Sequence, residues 1–205
     1  PWIWGPGYQV YGSDDRPNSD PLGHARSQGA IGGYVHPVRD ADPFSPENVA
    51  SPPALLVVDG ILGNMDWLEL AVLWSDEIGA SEMWYRFLNV GSPVLLSAGT
   101  DAMADFYRTM PLGVSRLYVQ TDGESSMAAY MQAMKEGRSF VTTGPMVDFE
   151  LGGVKPGDVV SREGSAEFKI DLASAVSVET VELIVNGLVV WSDSGLSEAG
   201  SRTYE

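Results

Sequence analysis

Two histidines and one strand-end aspartate are the side chains whose types and positions suggest chemistry. His24 and His36 are the only imidazoles in the chain. His36 closes the short apolar run Ala30-Ile31-Gly32-Gly33-Tyr34-Val35 and stands directly before Pro37. A residue before proline is biased to extended backbone, so the run predicts a strand ending at His36. Imidazole is the commonest side-chain ligand for zinc and related metals. The alternative for His36 is a hydrogen-bonded structural histidine. Asp101 follows the apolar segment Pro93 to Ala98 and two small residues, Gly99 and Thr100. Small residues let backbone approach an ion or a substrate closely. A carboxylate there can ligate a metal or take a proton from an activated water; the alternative is an N-cap or Asx-turn aspartate. His36 and Asp101 are thus both candidate catalytic residues and candidate metal ligands. They lie 65 positions apart, and the ends of separate parallel strands can bring them to one face. Two such groups do not close a metal site, which normally takes three or more protein ligands.

Other chemistries lack their motifs. No GxSxG elbow, Walker A loop or HExxH helix is present, and Gly5-Pro6-Gly7 precedes no helical pattern. The absence of cysteine excludes disulfides, thiolate zinc sites and cysteine nucleophiles within this chain. His24 reads as a surface or capping residue. Glu69 reads as the end of a short strand, either facing the site or supporting it. Arg116 is expected to pair with an internal carboxylate and Arg138 to fix a helix-to-strand turn. Trp84 and Tyr85 are expected in the core.

The elements that would position these groups alternate along the first two thirds of the chain. Residues 1 to 23 read as a packed aromatic, Gly- and Pro-rich loop. A short helix is expected over Leu22 to Gln28, stopped by Gly29. Ala54 to Gly60 reads as a buried strand, with a helix end as the alternative, because period alone does not separate the two. Short strands follow at Asp66–Leu70, Pro93–Ala98, Leu117–Gln120 and Ser139–Thr143. Helices are expected at Ser81–Asn89, from the i,i+4 pairs Met83/Phe87 and Trp84/Leu88, and at Ser125–Glu136, from a serine cap and the stripe Met127, Met131, Met134. This alternation predicts an α/β barrel up to about residue 146. Beyond Pro145 the period becomes two. Asn186-Gly187 between the apolar runs Val178–Val185 and Leu188–Trp191 predicts a β-hairpin. Residues 147–205 are therefore expected to begin an all-β, immunoglobulin-like sandwich, with about four of the usual seven strands.

Bulk properties narrow the partners. The net charge is −16, from 12 Lys and Arg against 28 Asp and Glu. No basic patch is visible for a nucleic acid or an anionic membrane. No stretch reaches the roughly 18–20 apolar residues of a bilayer span. A small-molecule substrate is the expected partner. The chain begins at Pro1 without a leader pattern and ends at Ser201–Glu205 without a polar tail, so it reads as a segment cut at both ends.

The ordered set GGYVHP (32–37), MWYRFLNVGSPVLLSAGTDAM (83–103), PLGVSRLYV (111–119), EGRSFVTTGPMVDFELGG (136–153) and KPGD (155–158) resembles the CehA/McbA-type metallohydrolases of the PHP (polymerase and histidinol phosphatase) superfamily. That resemblance implies the C-terminal part of a distorted (β/α)7 barrel over residues 1–146, leading into the sandwich of 147–205. It implies divalent metal ions (zinc, manganese or iron), and hydrolysis of a phosphoester or of a carboxylic or carbamic ester. His36 carries the role of the histidine ligand, and Asp101 that of the late aspartate. Many relatives place a histidine two residues after that aspartate, where this chain has Met103, a poor ligand for zinc or manganese. The family's early His-x-His is absent. The competing expectations are a non-catalytic ligand-binding barrel with a degraded metal site in a secreted multidomain protein, and a purely structural domain. The appended sandwich and the habit of the family point to a periplasmic or secreted location.

Overall fold

The computed structural model describes residues 17–48, 55–72, 74–103, 110–161 and 164–205; the aromatic loop expected at the start of the chain lies largely outside them. The first described element is α1 (Ser19–Ser27). Three parallel strands follow, β1 (Gly33–Tyr34), β2 (Trp67–Ala71) and β3 (Leu95–Ala98), in the order β1-β2-β3. Helix α2 (Leu56–Ile61) lies between β1 and β2, and α3 (Glu77–Asn89) between β2 and β3.

Helix α3 begins where Asp76, in extended backbone, accepts the Gly79 N–H with its side chain, satisfying one of the orphan donors of the first turn. Gly79, Ala80, Met83 and Phe87 form its buried face. Met83 and Phe87 join Tyr34, Val38, Leu56, Met65, Leu68 and Val94 in one apolar core. The Trp84 indole N–H donates to the Val94 carbonyl at 2.8 Å, fastening α3 to the entry of β3. Glycine at position 33 is a steric requirement: a Cβ there would lie 2.0 Å from the Trp67 carbonyl oxygen.

After β3 the pairing changes direction. Strands β4 (Arg116–Val119) and β5 (Ser139–Thr142) pair antiparallel around α4 (Met127–Lys135), with Tyr118 opposite Phe140. Their rings stack at 5.4 Å. Ser126 caps α4 by accepting the Ala129 N–H. Of the expected methionine stripe, Met134 is buried while Met127 is exposed. The rest of the chain is antiparallel. Strands β6 (Met146–Leu151), β7 (Phe168–Ser174) and β10 (Gly200–Tyr204) form a sheet in the order β10-β7-β6. Strands β8 (Val178–Val185) and β9 (Leu188–Leu196) form the hairpin that Asn186-Gly187 predicts; both turn residues have positive φ, 55° and 77°. Ile170, Leu172 and Tyr204 of the sheet pack with Val178, Val181 and Trp191 of the hairpin.

This architecture corrects the barrel expectation. The described strands fall into four sheets of two or three strands, three of them antiparallel, beside four short helices. The fold is β-rich and is not a (β/α)7 barrel. A barrel needs each helix to return the chain parallel to the preceding strand, whereas β4 and β5 pair antiparallel across α4. Beyond Pro145 the described chain is all-β, a three-stranded sheet packed against a two-stranded hairpin. The segment read as a strand, Ala54–Gly60, is helical from Leu56 onward, with Leu56 fully buried and Val57 and Val58 exposed; Ala54 lies outside the described residues. No helix among the described residues is long and apolar enough to cross a membrane.

Leu68 is fully buried at the centre of the parallel sheet. Leu68→Ala is expected to lower unfolding stability by about 2–5 kcal/mol, read as a lower denaturant midpoint with an unchanged slope. A loss below 1 kcal/mol would mean that this core does not hold the sheet.

Candidate functional site

Ligands of open parallel sheets bind beyond the C-terminal ends of the strands. His36 follows β1, Glu69 lies within β2 and Asp101 follows β3, so three neighbouring strands bring their polar groups to one end. His36 and Asp101, the two residues singled out in the sequence, line one cleft together with Arg39, Trp74, Ser75 and Asp76. The cleft volume is about 670 Å³.

Behind this cleft stands Glu69, with 7% of its surface exposed. Its Oε2 accepts the backbone N–H of His36 at 2.9 Å. Burial raises its pKa from 4.5 to about 7, the His36 N–H opposes that rise, and the negative charge of Asp101 adds to it. No Lys or Arg pairs with Glu69 among the described residues. Gly99 makes room for this carboxylate, since a Cβ there would lie 2.8 Å from Glu69 Oε1. Of the two small residues before Asp101, Gly99 thus serves a buried carboxylate. Thr100 takes another task, its Oγ1 accepting the Gly113 N–H.

The backbone at both candidate residues is unusual. His36 has φ 36° and Asp101 φ 50°. The extended conformation expected for a residue before proline is therefore not adopted at His36. The bond from its N–H to the buried Glu69 holds it in the left-handed region, which non-glycine residues enter at a cost. Aspartate tolerates that region better than most residues.

The wall between His36 and Arg39 is tied down. Pro37 and Val38 are fully buried. The Val38 N–H donates to Ser75 Oγ at 3.3 Å, and the Ser75 hydroxyl donates to the Val38 carbonyl at 2.5 Å. The Asp76 N–H donates to the same carbonyl at 2.8 Å. Close contact at Gly79 completes the seam, where a Cβ would meet the Asp40 carbonyl oxygen at 1.9 Å.

As to a metal, an imidazole and two carboxylates are suitable donor types for zinc, manganese or iron, and a buried carboxylate without a cationic partner is a group that a cation would relieve. Among the described residues, however, no three His, Cys, Asp or Glu side chains are grouped so that they could hold an ion. His36 and Asp101 supply part of a shell and do not complete one.

The remaining sequence candidates fall elsewhere. His24 is exposed on α1, with its Nε2 2.8 Å from the side-chain nitrogen of Gln28. Arg116 lies over the Tyr118 ring at 5.7 Å and pairs with no carboxylate among the described residues. Arg138 does fix its turn, pairing with Asp122 and Glu136. A cavity of about 740 Å³ between the β4–β5 pair and the β10-β7-β6 sheet contains neither His36 nor Asp101. Its Arg138, Lys155 and Arg202 are each engaged by a carboxylate. Arg39, Trp74 and Asp76 were not legible as site residues, since they sit in loops and a helix cap without periodicity. Glu69 left a trace, a lone acid inside the apolar strand Trp67-Leu68-Glu69-Leu70-Ala71.

No protein-family profile, no curated protein and no solved structure matches this chain.

Two outcomes follow from the Glu69 environment. Between pH 4.5 and about 7 the folded chain keeps a proton on Glu69 that the unfolded chain has lost, so stability falls as pH rises through that window and then levels off. Glu69→Gln keeps an acceptor for His36 and removes the fall. With a chelator present it is expected to gain on the order of 3 kcal/mol on the wild type between pH 4.5 and values above 7, read from denaturant midpoints. Parallel pH profiles for the two proteins would refute this. Gly99→Ala is expected to destabilise by about 1–3 kcal/mol through overpacking against Glu69, and the Glu69→Gln background should not relieve the loss, because the clash is steric.

Proposed function

We propose that the cleft of His36 and Asp101 is the working site of a metal-assisted hydrolase acting on a phosphoester or on a carboxylic or carbamic ester. The observation that carries this reading is the convergence of two metal-type side chains, 65 positions apart, on one cleft at the C-terminal ends of the two parallel strands that flank β2. The resemblance of the GGYVHP and GTD segments to the CehA/McbA-type hydrolases supports the same assignment of donors. The barrel of that family is not part of the proposal.

A divalent cation at such a site would supply Lewis acidity toward the ester and would make water a usable nucleophile near neutral pH. His36 offers an imidazole and Asp101 a carboxylate to hold it. Glu69 braces His36 through the backbone bond, so the imidazole enters the cleft from a fixed strap.

His36→Ala and Asp101→Ala are each expected to lower bound zinc or manganese, measured by elemental analysis, and to reduce hydrolysis of nitrophenyl phosphate or nitrophenyl acetate by on the order of 100-fold or more. Unchanged metal content and unchanged rates in both variants would refute the proposal. A wild type that binds ligands in this cleft without metal or turnover would favour a purely binding role.

A further inference from the structure

The chain has 28 acids and 12 Lys and Arg, so no cation lacks a partner for want of acids. Among the described residues, five Lys and Arg pair with carboxylates. Two lie over aromatic rings, and one donates to a backbone carbonyl. Arg39 alone has none of these among the described residues, and it lines the cleft of His36 and Asp101. Its position is not slack, because the preceding Pro37 and Val38 are fully buried and Val38 is bonded on both sides to Ser75. Next to Ser75 on the same wall stands Trp74, 51% exposed. A half-exposed indole in a concave site offers a flat apolar face, and tryptophan is a common anchor for ligands of that shape.

We infer that Arg39 and Trp74 form the substrate subsite of this cleft, with the guanidinium taking an oxyanion and the indole taking a flat apolar ring attached to it. The inference rests on the hydrolase reading and selects within it: an aryl phosphate monoester fits, and a neutral carbamate or carboxylic ester does not use Arg39. Two acids also line the cleft, but neither engages Arg39. Asp76 is turned to the start of α3, where its carboxylate accepts the Gly79 N–H at 2.9 Å and the helix dipole offsets its charge. Asp101 makes no ion pair with Arg39 among the described residues. The guanidinium is then the charge left for the substrate, and its planar fork suits phosphate oxygens. Hydrolysis of such an ester breaks the bond between phosphorus and the aryl oxygen and forms one to the oxygen of water. The protons of that water are shared between the released phenol and inorganic phosphate.

The test is calorimetric binding of three probes to the full chain: phenylphosphonate, inorganic phosphate and benzyl alcohol. Phenylphosphonate is expected to bind tightest. Arg39→Gln should weaken it tenfold or more, and Arg39→Lys should restore part of the loss. Trp74→Ala should weaken phenylphosphonate while leaving inorganic phosphate unchanged. Failure of the wild type to bind phenylphosphonate, or binding untouched by both substitutions, would overturn the subsite. Nitrophenyl phosphate kinetics separate the two ideas, with Arg39→Gln raising KM for this ester and not for nitrophenyl acetate. Hydrolysis indifferent to Arg39 would leave the hydrolase standing without this subsite. Phenylphosphonate binding through Arg39 and Trp74 in a protein that turns over no ester would leave the subsite standing without the hydrolase.

Discussion

A carboxylate held inside a parallel sheet is an expensive group, and Glu69 organises the end of the sheet around that expense. One oxygen is partly compensated by the His36 N–H at 2.9 Å, while the other would lie 2.8 Å from a Cβ at position 99. Through these two contacts β2 sets the exit paths of both neighbours. Leaving β1, the chain enters the left-handed region at His36; leaving β3, it passes Gly99 and Thr100 before entering the same region at Asp101. The cleft exists because both neighbours bend away from a group that remains in place.

The surroundings keep that group from relaxing. Leu68, beside it in β2, points into a core of residues from α2, α3 and the sheet, so β2 cannot shift without opening a cavity. The strap after β1 is sewn to the start of α3 through Val38, Ser75 and Asp76. Helix α3 is in turn pinned to β3 by the Trp84 indole. Rigid elements thus hold a site whose own backbone is strained, the arrangement expected where strain is retained for function.

The antiparallel part of the chain is organised differently. Its charges are largely consumed in local pairs, such as Lys155 with Asp148 and Arg202 with Asp193. Exposed pairs of this kind contribute little to stability. The aromatic contacts of Trp191 with Phe168 and Tyr204 supply the packing that joins its sheet to the hairpin. It meets the parallel part at the hairpin turn, where the Asn89 side chain donates to the Asn186 carbonyl.

Local features were legible in the sequence wherever a short-range rule decides them. Asn186-Gly187 is a turn because both positions need positive φ. The serine cap and the glycine after it bound α4, and the i,i+4 pairs of α3 define its buried face. His36 and Asp101 could be proposed as strand-end residues because apolar runs precede them. The sheet partners were not legible, since strands of two to five residues carry too little pattern to say whether the next one pairs parallel or antiparallel. The same alternation that suggested a barrel therefore folds into four small sheets. Strand β10 escaped notice because Gly200-Ser201-Arg202-Thr203-Tyr204 places only its tyrosine in the core. Residue types alone determined which groups could do chemistry here. Only the tertiary structure decided that Glu69 is buried behind them and that Arg39 reaches the cleft without an acid partner among the described residues, because burial and pairing depend on contacts between segments that the order of residues does not specify.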